Sequence, residues 1–304
     1  MHTKLKGLVP IIICLFMVFP SPSYGQKNDI RFDSSCSIDW VRGKLDTQAS
    51  FDLAQAGIKL PTGRYTAEET LSEAYPLLLR SYLLSIKADS NSTIKDLVEQ
   101  REISFEDLDI LCQEDGKITP NLSADLRRMT GKFSIPMGKI SALLVRQKRP
   151  VEAEKPLIPV LTADYTGIII VADKVLPVHG RNAQVLLEPC LFPRIWDTNM
   201  NLVYERNMVN PDKLRETLMV SYAVSESVFR PTPSGLEGEL AALVGPNPLR
   251  ILAREVFGIY PTDPVIDRED ALKILSTENN RHLLREGRVV LVLDEGVLQM
   301  AVQP

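Results

Sequence analysis

Ile168 to Val171 are four consecutive branched apolar residues between Gly167 and Ala172-Asp173, a run too short and too uniformly apolar for an amphipathic helix. It predicts a strand covered on both faces. Gly287 releases a second run of this kind, RVVLVLD, which predicts another central strand. Between them, EPCLFPRIWDTNMNLVYE (Glu188 to Glu205) reads as two apolar arms about a turn at Asp197 to Asn201. Pro211 opens a helix predicted through KLRETLMVSYA, and Pro248 to Ile259 is largely a strand. Asp267 with Asp270 caps a helix through ALKIL, and Thr277 caps another through Leu284. Strand and helix alternate across this half of the chain.

The first half has a different rhythm. Trp40, Gly43, Leu45, Ala49, Phe51 and Leu53 sit mostly at alternate positions, predicting a half-buried strand or bent hairpin arm, and Pro61-Thr62-Gly63 marks a turn. Thr66 and Glu69 have capping-box spacing ahead of Leu71, Tyr75, Leu78, Tyr82 and Ile86, one apolar stripe of a long helix that Pro76 should kink. Short helices are predicted from Thr93 to Gln100, from Ser104 to Gln113 and, after a break at Gly116, around Leu122 to Met129. Lys132 to Met137 reads as a strand, and Ile140 to Val145 as the last apolar piece before the proline-punctuated RQKRPVEAEKPLIPVLTAD. The expected division is a domain over 26–146, a linker over 147–164 and a second domain over 165–304. The fold class is α+β, each domain a small mixed sheet with packed helices.

Residues 1–25 carry Lys4 and Lys6, an apolar stretch from Leu8 to Phe19, and Ser23 and Gly25 at cleavage-site positions, which predicts an export signal. The apolar core is shorter than the ~20 residues a membrane span needs, and no integral span is expected in the mature chain. The whole chain has a formal charge of −4, made more negative by loss of the two leader lysines, which argues against nucleic acid as a partner. Cys36, Cys112 and Cys190 remain after cleavage, an odd set that forms at most one bridge. Cys112 and Cys190 sit in apolar settings and read as buried fillers.

Trp40-Val-Arg-Gly43, the long helix, and Ala88-Asp89-Ser90 with Ser92-Thr93-Ile94 resemble the exported bacterial family typified by the twenty-kilodalton envelope lipoprotein and the N-terminal part of flagellar assembly protein T. Tyr165 to Ile170, Pro193 to Ile195, Val203-Tyr204, Asp263 to Ile266, Asp270-Ala271 and Arg288 to Asp294 resemble the C-terminal domain carried by some exported relatives. At 172–174 this chain has Ala-Asp-Lys, where that family often shows Asp-Ala-Arg-Gly. The resemblance implies a periplasmic protein, peripheral to the outer membrane, whose partners are envelope or flagellar proteins.

Candidate chemistry is sparse. The sequence holds no CxxC, HxxxH, GxGxxG or GxxxxGK[ST], so no metal, cofactor or catalytic residue is assigned. His179 with Cys190 is the one conceivable base and nucleophile, without a family signature around either. Asp164, Asp173, Asp197 and Asp294 end predicted strands, where sites form but where aspartate also makes turns. Arg194, Trp196, Asp197, Tyr204 and Arg206 form an aromatic and arginine cluster of the composition found in protein interfaces, burial in the core being the competing reading for Trp196. The expectation is a non-enzymatic accessory or structural protein of the bacterial envelope. An exported hydrolase acting on cell-wall glycan and a periplasmic ligand-binding module are the alternatives.

Overall fold

The computed structural model describes residues 30–114, 119–225, 228 and 236–303. The predicted export signal and the Gly116 break lie outside the described residues.

The first half opens with a hairpin, β1 (Phe32–Asp39) and β2 (Lys44–Asp52), turned at Gly43 with φ +59. Then come α1 (Arg64–Leu84), α2 (Ile94–Glu99), α3 (Phe105–Glu114), β3 (Thr119–Leu122), β4 (Arg128–Pro136) and α4 (Met137–Ala142). α1 lies across β2 and β4, burying Leu71, Tyr75, Leu79 and Tyr82, and the Tyr75 ring stacks on Phe133 with centroids 3.2 Å apart. It continues unbroken through Pro76. Its N-cap is Gly63, not Thr66. The turn before it already bonds Gly63 N–H to the Lys59 carbonyl, and a Cβ at residue 63 would come within 2.6 Å of Ile58 Cγ2, so the helix begins where only glycine fits. Thr93 and Asp96 form the reciprocal capping box of α2, and Ser104 and Asp107 form the same pair at the start of α3.

Leu122 to Met129 is not helical. Ser123 N–H bonds to Arg128 O, Asp125 accepts from Arg127 N–H, and Leu126 takes φ 56, so the segment is the hairpin turn between β3 and β4.

The second half contains β5 (Ile168–Ala172), the small pair β6 (Leu176–Pro177) and β7 (Gln184–Val185), then β8 (Ile195–Asp197) and β9 (Leu202–Tyr204). α5 (Pro211–Glu216) precedes β10 (Ser221–Ala223), and α6 (Leu236–Val244) precedes β11 (Leu249–Phe257) and β12 (Asp263–Ile266). α7 (Arg268–Ser276), α8 (Glu278–Arg285), β13 (Val289–Leu293), α9 (Glu295–Leu298) and β14 (Gln299–Val302) complete it. Seven strands make a mixed sheet in the order β10-β13-β5-β11-β12-β8-β9, with β10, β13, β5 and β11 parallel. β5 is an interior strand, flanked by β13 and β11, as its uniform apolarity requires. The helix predicted over KLRETLMVSYA is corrected: α5 stops at Thr217, where the backbone becomes extended, and Ser221 to Ala223 enter the sheet beside β13.

The final strand does not stay in this sheet. β14 crosses back to pair antiparallel with β1, Cys36 opposite Val302 and Asp39 opposite Gln299, so residues 299–302 belong with the first half. The first sheet, β14-β1-β2-β4-β3, is therefore antiparallel throughout rather than mixed. The molecule is a two-domain α+β protein whose main hydrophobic core is continuous: Trp40 of the first domain packs edge-on against Tyr222 of the second, ring centroids 5.5 Å apart. α4 meets the end of α5 so closely that a Cβ on Gly138 would lie 2.4 Å from the Glu216 carbonyl oxygen.

The linker runs over the second domain. Val151 N–H bonds to Asn207 O at 2.7 Å and Val160 N–H to Ser276 Oγ at 2.9 Å. Buried Asn280 accepts from Tyr165 N–H and donates through Nδ2 to the carbonyls of Ala163 and Lys273, each at 3.0 Å. Among the described residues no helix is long and apolar enough to cross a membrane.

Candidate functional site

The polar residues that come together do so where the domains meet. The loop from Lys87 to Ser92, made rigid by Asp89 accepting from Asn91 and Ser92 N–H, lies against two segments of the second domain, 188–194 and 258–263. Its carbonyls at Lys87 and Ala88 receive Leu191 and Phe192 N–H at 3.1 and 2.9 Å, and its Ser90 carbonyl receives Tyr260 N–H at 2.9 Å. Lys87 pairs with Glu188, and its ammonium stands 5.7 Å from the centre of the Tyr260 ring.

Asp263, the first residue of β12, is the buried centre of this junction. Oδ1 accepts from Arg194 N–H at 2.9 Å and from the Thr262 hydroxyl at 3.4 Å, and Oδ2 accepts from Trp196 Nε1–H at 3.1 Å. The Arg194 guanidinium turns to the other domain and pairs with Asp89 at 3.3 Å. Burial pushes the Asp263 carboxyl above the usual carboxylate range, and the surrounding N–H donors and the Arg194 charge oppose the rise. The Trp196 ring packs edge-on to Phe257, which in turn packs edge-on to His179.

Of the five residues expected at a protein interface, Arg194 and Trp196 are half-buried and face inward to this junction. Tyr204 and Asp197 are corrected, since neither is a surface group. Tyr204 is wholly enclosed with its hydroxyl donating to Met219 O at 3.1 Å, and Asp197 holds its own turn by accepting from Asn199 and Asn201 N–H. Arg206 stands apart over the Phe192 ring, 5.5 Å from its centre. Asp89, Lys87, Tyr260 and Asp263 escaped sequence reasoning as site residues. The readable clue was Asp263 at the head of an apolar strand run, Asp-Pro-Val-Ile, where an aspartate is costly unless something holds it.

The conceivable base and nucleophile are not assembled. His179 Nδ1 lies 2.5 Å from Glu255 Oε2, while Cys190 is fully enclosed with its backbone N–H and C=O both bonded to the Tyr222 hydroxyl. Cys36 and Cys112 are likewise buried and unbridged, their thiols pushed up to about 12 by burial. Asp294 caps α9 through Gly296 N–H, and Asp173 bonds the Ser225 hydroxyl. Among the described residues no group of three or more His, Cys, Asp or Glu side chains is placed to hold a metal ion.

Gly258 is the tightest point of the junction. It takes φ +119, and a Cβ there would stand 2.4 Å from the Tyr260 carbonyl oxygen and 2.5 Å from Ser90 Cβ. Gly258→Ala is expected to cost about 2–4 kcal/mol in chemical denaturation, because both the backbone conformation and the space exclude a side chain. An unchanged denaturation midpoint would show that the loops separate freely and that the junction is not close-packed.

Two family models match separate parts of the chain. Residues 31–143 match the family model for the N-terminal domain of Treponema pallidum Tp0624, and residues 167–295 match the model for its second domain. No curated protein matches the chain. In both of its domains, and in the same order, the chain is similar to Treponema pallidum Tp0624.

Proposed function

We propose that this protein is a non-enzymatic accessory or structural component of the bacterial envelope, exported to the periplasm and acting as one rigid body through its outer surface. Flagellar assembly is among the structures it would serve. The junction around Asp263 carries this reading: its carboxylate holds the Arg194 amide and the Trp196 indole within the second domain while the Arg194 guanidinium reaches across to Asp89, an arrangement that fixes geometry rather than presenting a reactive group to a substrate. A groove of about 200 Å³ between the domains, lined by Ile38, Trp40, Ile86, Pro189, Met300 and Val302, supports as a second reading a periplasmic module that takes a small apolar ligand.

The test is a photo-crosslinker at Leu77 or Phe105, exposed on the outer face of α1 and α3, in intact cells followed by fractionation. Recovery from the periplasm with crosslinks to envelope or flagellar structural proteins is the expected result. Retention in the cytoplasm, or release of sugar from purified cell-wall glycan by the protein, would overturn the proposal.

A further inference from the structure

Leu157, Ile158 and Leu161 are exposed to 102%, 82% and 104%, as fully as side chains on an isolated extended chain. Chance exposure of single aliphatic residues is ordinary, but here they share one short arm, PLIPVL, over 156–161. The arm's base is held: Val151 is bonded to Asn207, Ala153 is buried, and Val160 N–H is taken by Ser276 Oγ.

The backbone of the arm is suited to leaving water. Pro156 and Pro159 have no N–H and Val160 has already placed its own, so only Leu157, Ile158 and Leu161 bring amide donors that need new partners. Unbonded carbonyls remain, which keeps such a segment at the boundary of headgroups and acyl chains and out of the hydrocarbon centre. The apolar side chains extend from an irregular, bent segment outside any strand or helix, as suits a fluid apolar medium that needs no matching shape.

Charge points the same way. The chain is acidic as a whole, with a formal charge of −4, yet residues 146–161 carry Arg146, Lys148, Arg149 and Lys155 against Glu152 and Glu154. Glu152 is itself paired with Arg285, which lines one concavity with Val151 and Ala153. Apolar insertion and a basic base are the two signals that together give stable surface attachment. We infer that residues 156–161 are a membrane-contacting arm that seats in the interfacial layer of an anionic phospholipid bilayer, with the basic residues at its base on the headgroups. This inference rests on the envelope location proposed above.

The test is flotation of the full chain with vesicles of phosphatidylethanolamine and phosphatidylglycerol, compared with vesicles of phosphatidylcholine alone. The wild type is expected to float with the anionic vesicles and to release as salt rises. The triple variant Leu157→Asp, Ile158→Asp, Leu161→Asp should bind about a hundredfold more weakly while melting as the wild type does, since these side chains are almost wholly exposed in the fold. Lys148→Glu with Arg149→Glu should remove the salt dependence. A wild type that stays out of the anionic vesicles, or an apolar variant that floats equally well, overturns the inference. So does a concentration-dependent dimer of the wild type that the triple variant loses without vesicles, because the arm then belongs to a second copy. Failure to float by a protein that is exported removes the arm alone, whereas retention in the cytoplasm removes the envelope reading beneath it.

Discussion

Asp263→Ala is expected to lower the stability of the whole chain by about 3–5 kcal/mol, because it leaves the Arg194 amide and the Trp196 indole N–H buried without an acceptor. Asp263→Asn should lose less, since one oxygen still accepts while the new amide group faces a donor. The comparison of wild type with the asparagine variant also carries a pH signature. The folded protein holds the Asp263 proton more tightly than the unfolded chain does, because burial raises its carboxyl. Its contribution to stability is therefore fully present below the unfolded carboxylate range near pH 4, falls as pH rises through the elevated folded value, and stays low above it. Denaturation of both proteins across that window should show the wild type gaining on the variant as pH falls. A parallel pair of curves would mean that the carboxylate is hydrated and that the junction is open to water.

Ending the chain after Leu298 is expected to have the second large effect. It removes the four residue pairs between β14 and β1 and the half-buried Met300 and Val302, for a loss of about 3–6 kcal/mol. It also leaves β1 as an unprotected sheet edge, which invites pairing with another copy. Light scattering should report dimers or larger species, and chemical denaturation a lower midpoint. A truncated protein that is monomeric and as stable as the full chain would show that β14 contributes nothing to the first sheet.

Strands buried on both faces were legible from composition alone. Ile168 to Val171 and Val289 to Leu293 are placed where their uniform apolarity demands, side by side as interior strands of the second sheet. Caps were legible where side chain and backbone agree, as at Thr93 and Thr277, each of which bonds a backbone N–H in its own helix. Thr66 failed because a glycine turn upstream set the start of α1 first. Ser221 to Ala223 failed because a three-residue strand takes its identity from the neighbour it joins, and nothing local marks β13 as that neighbour. The return of Gln299 to Val302 to the first sheet is non-local in the same way. The Ala88 to Ile94 motif carries a family resemblance, but its physical role, presenting backbone carbonyls to the other domain, resides in atoms that every residue type shares.

The direction of the β1 and β14 ladder also decides how the molecule bears mechanical load. Val302 lies opposite Cys36 near the start of β1, and Gln299 lies opposite Asp39 at its end. Tension applied through the chain before Phe32 and after Val302 thus reaches the same end of the ladder from both sides. The hydrogen bonds would open one after another, as in unzipping, instead of resisting together in shear. β14 is accordingly the part of the fold that yields first under a pull, and the Arg194 to Asp89 pair, the backbone bonds to the Lys87 to Ser90 carbonyls and the Trp40 to Tyr222 contact are what then keep the two domains joined.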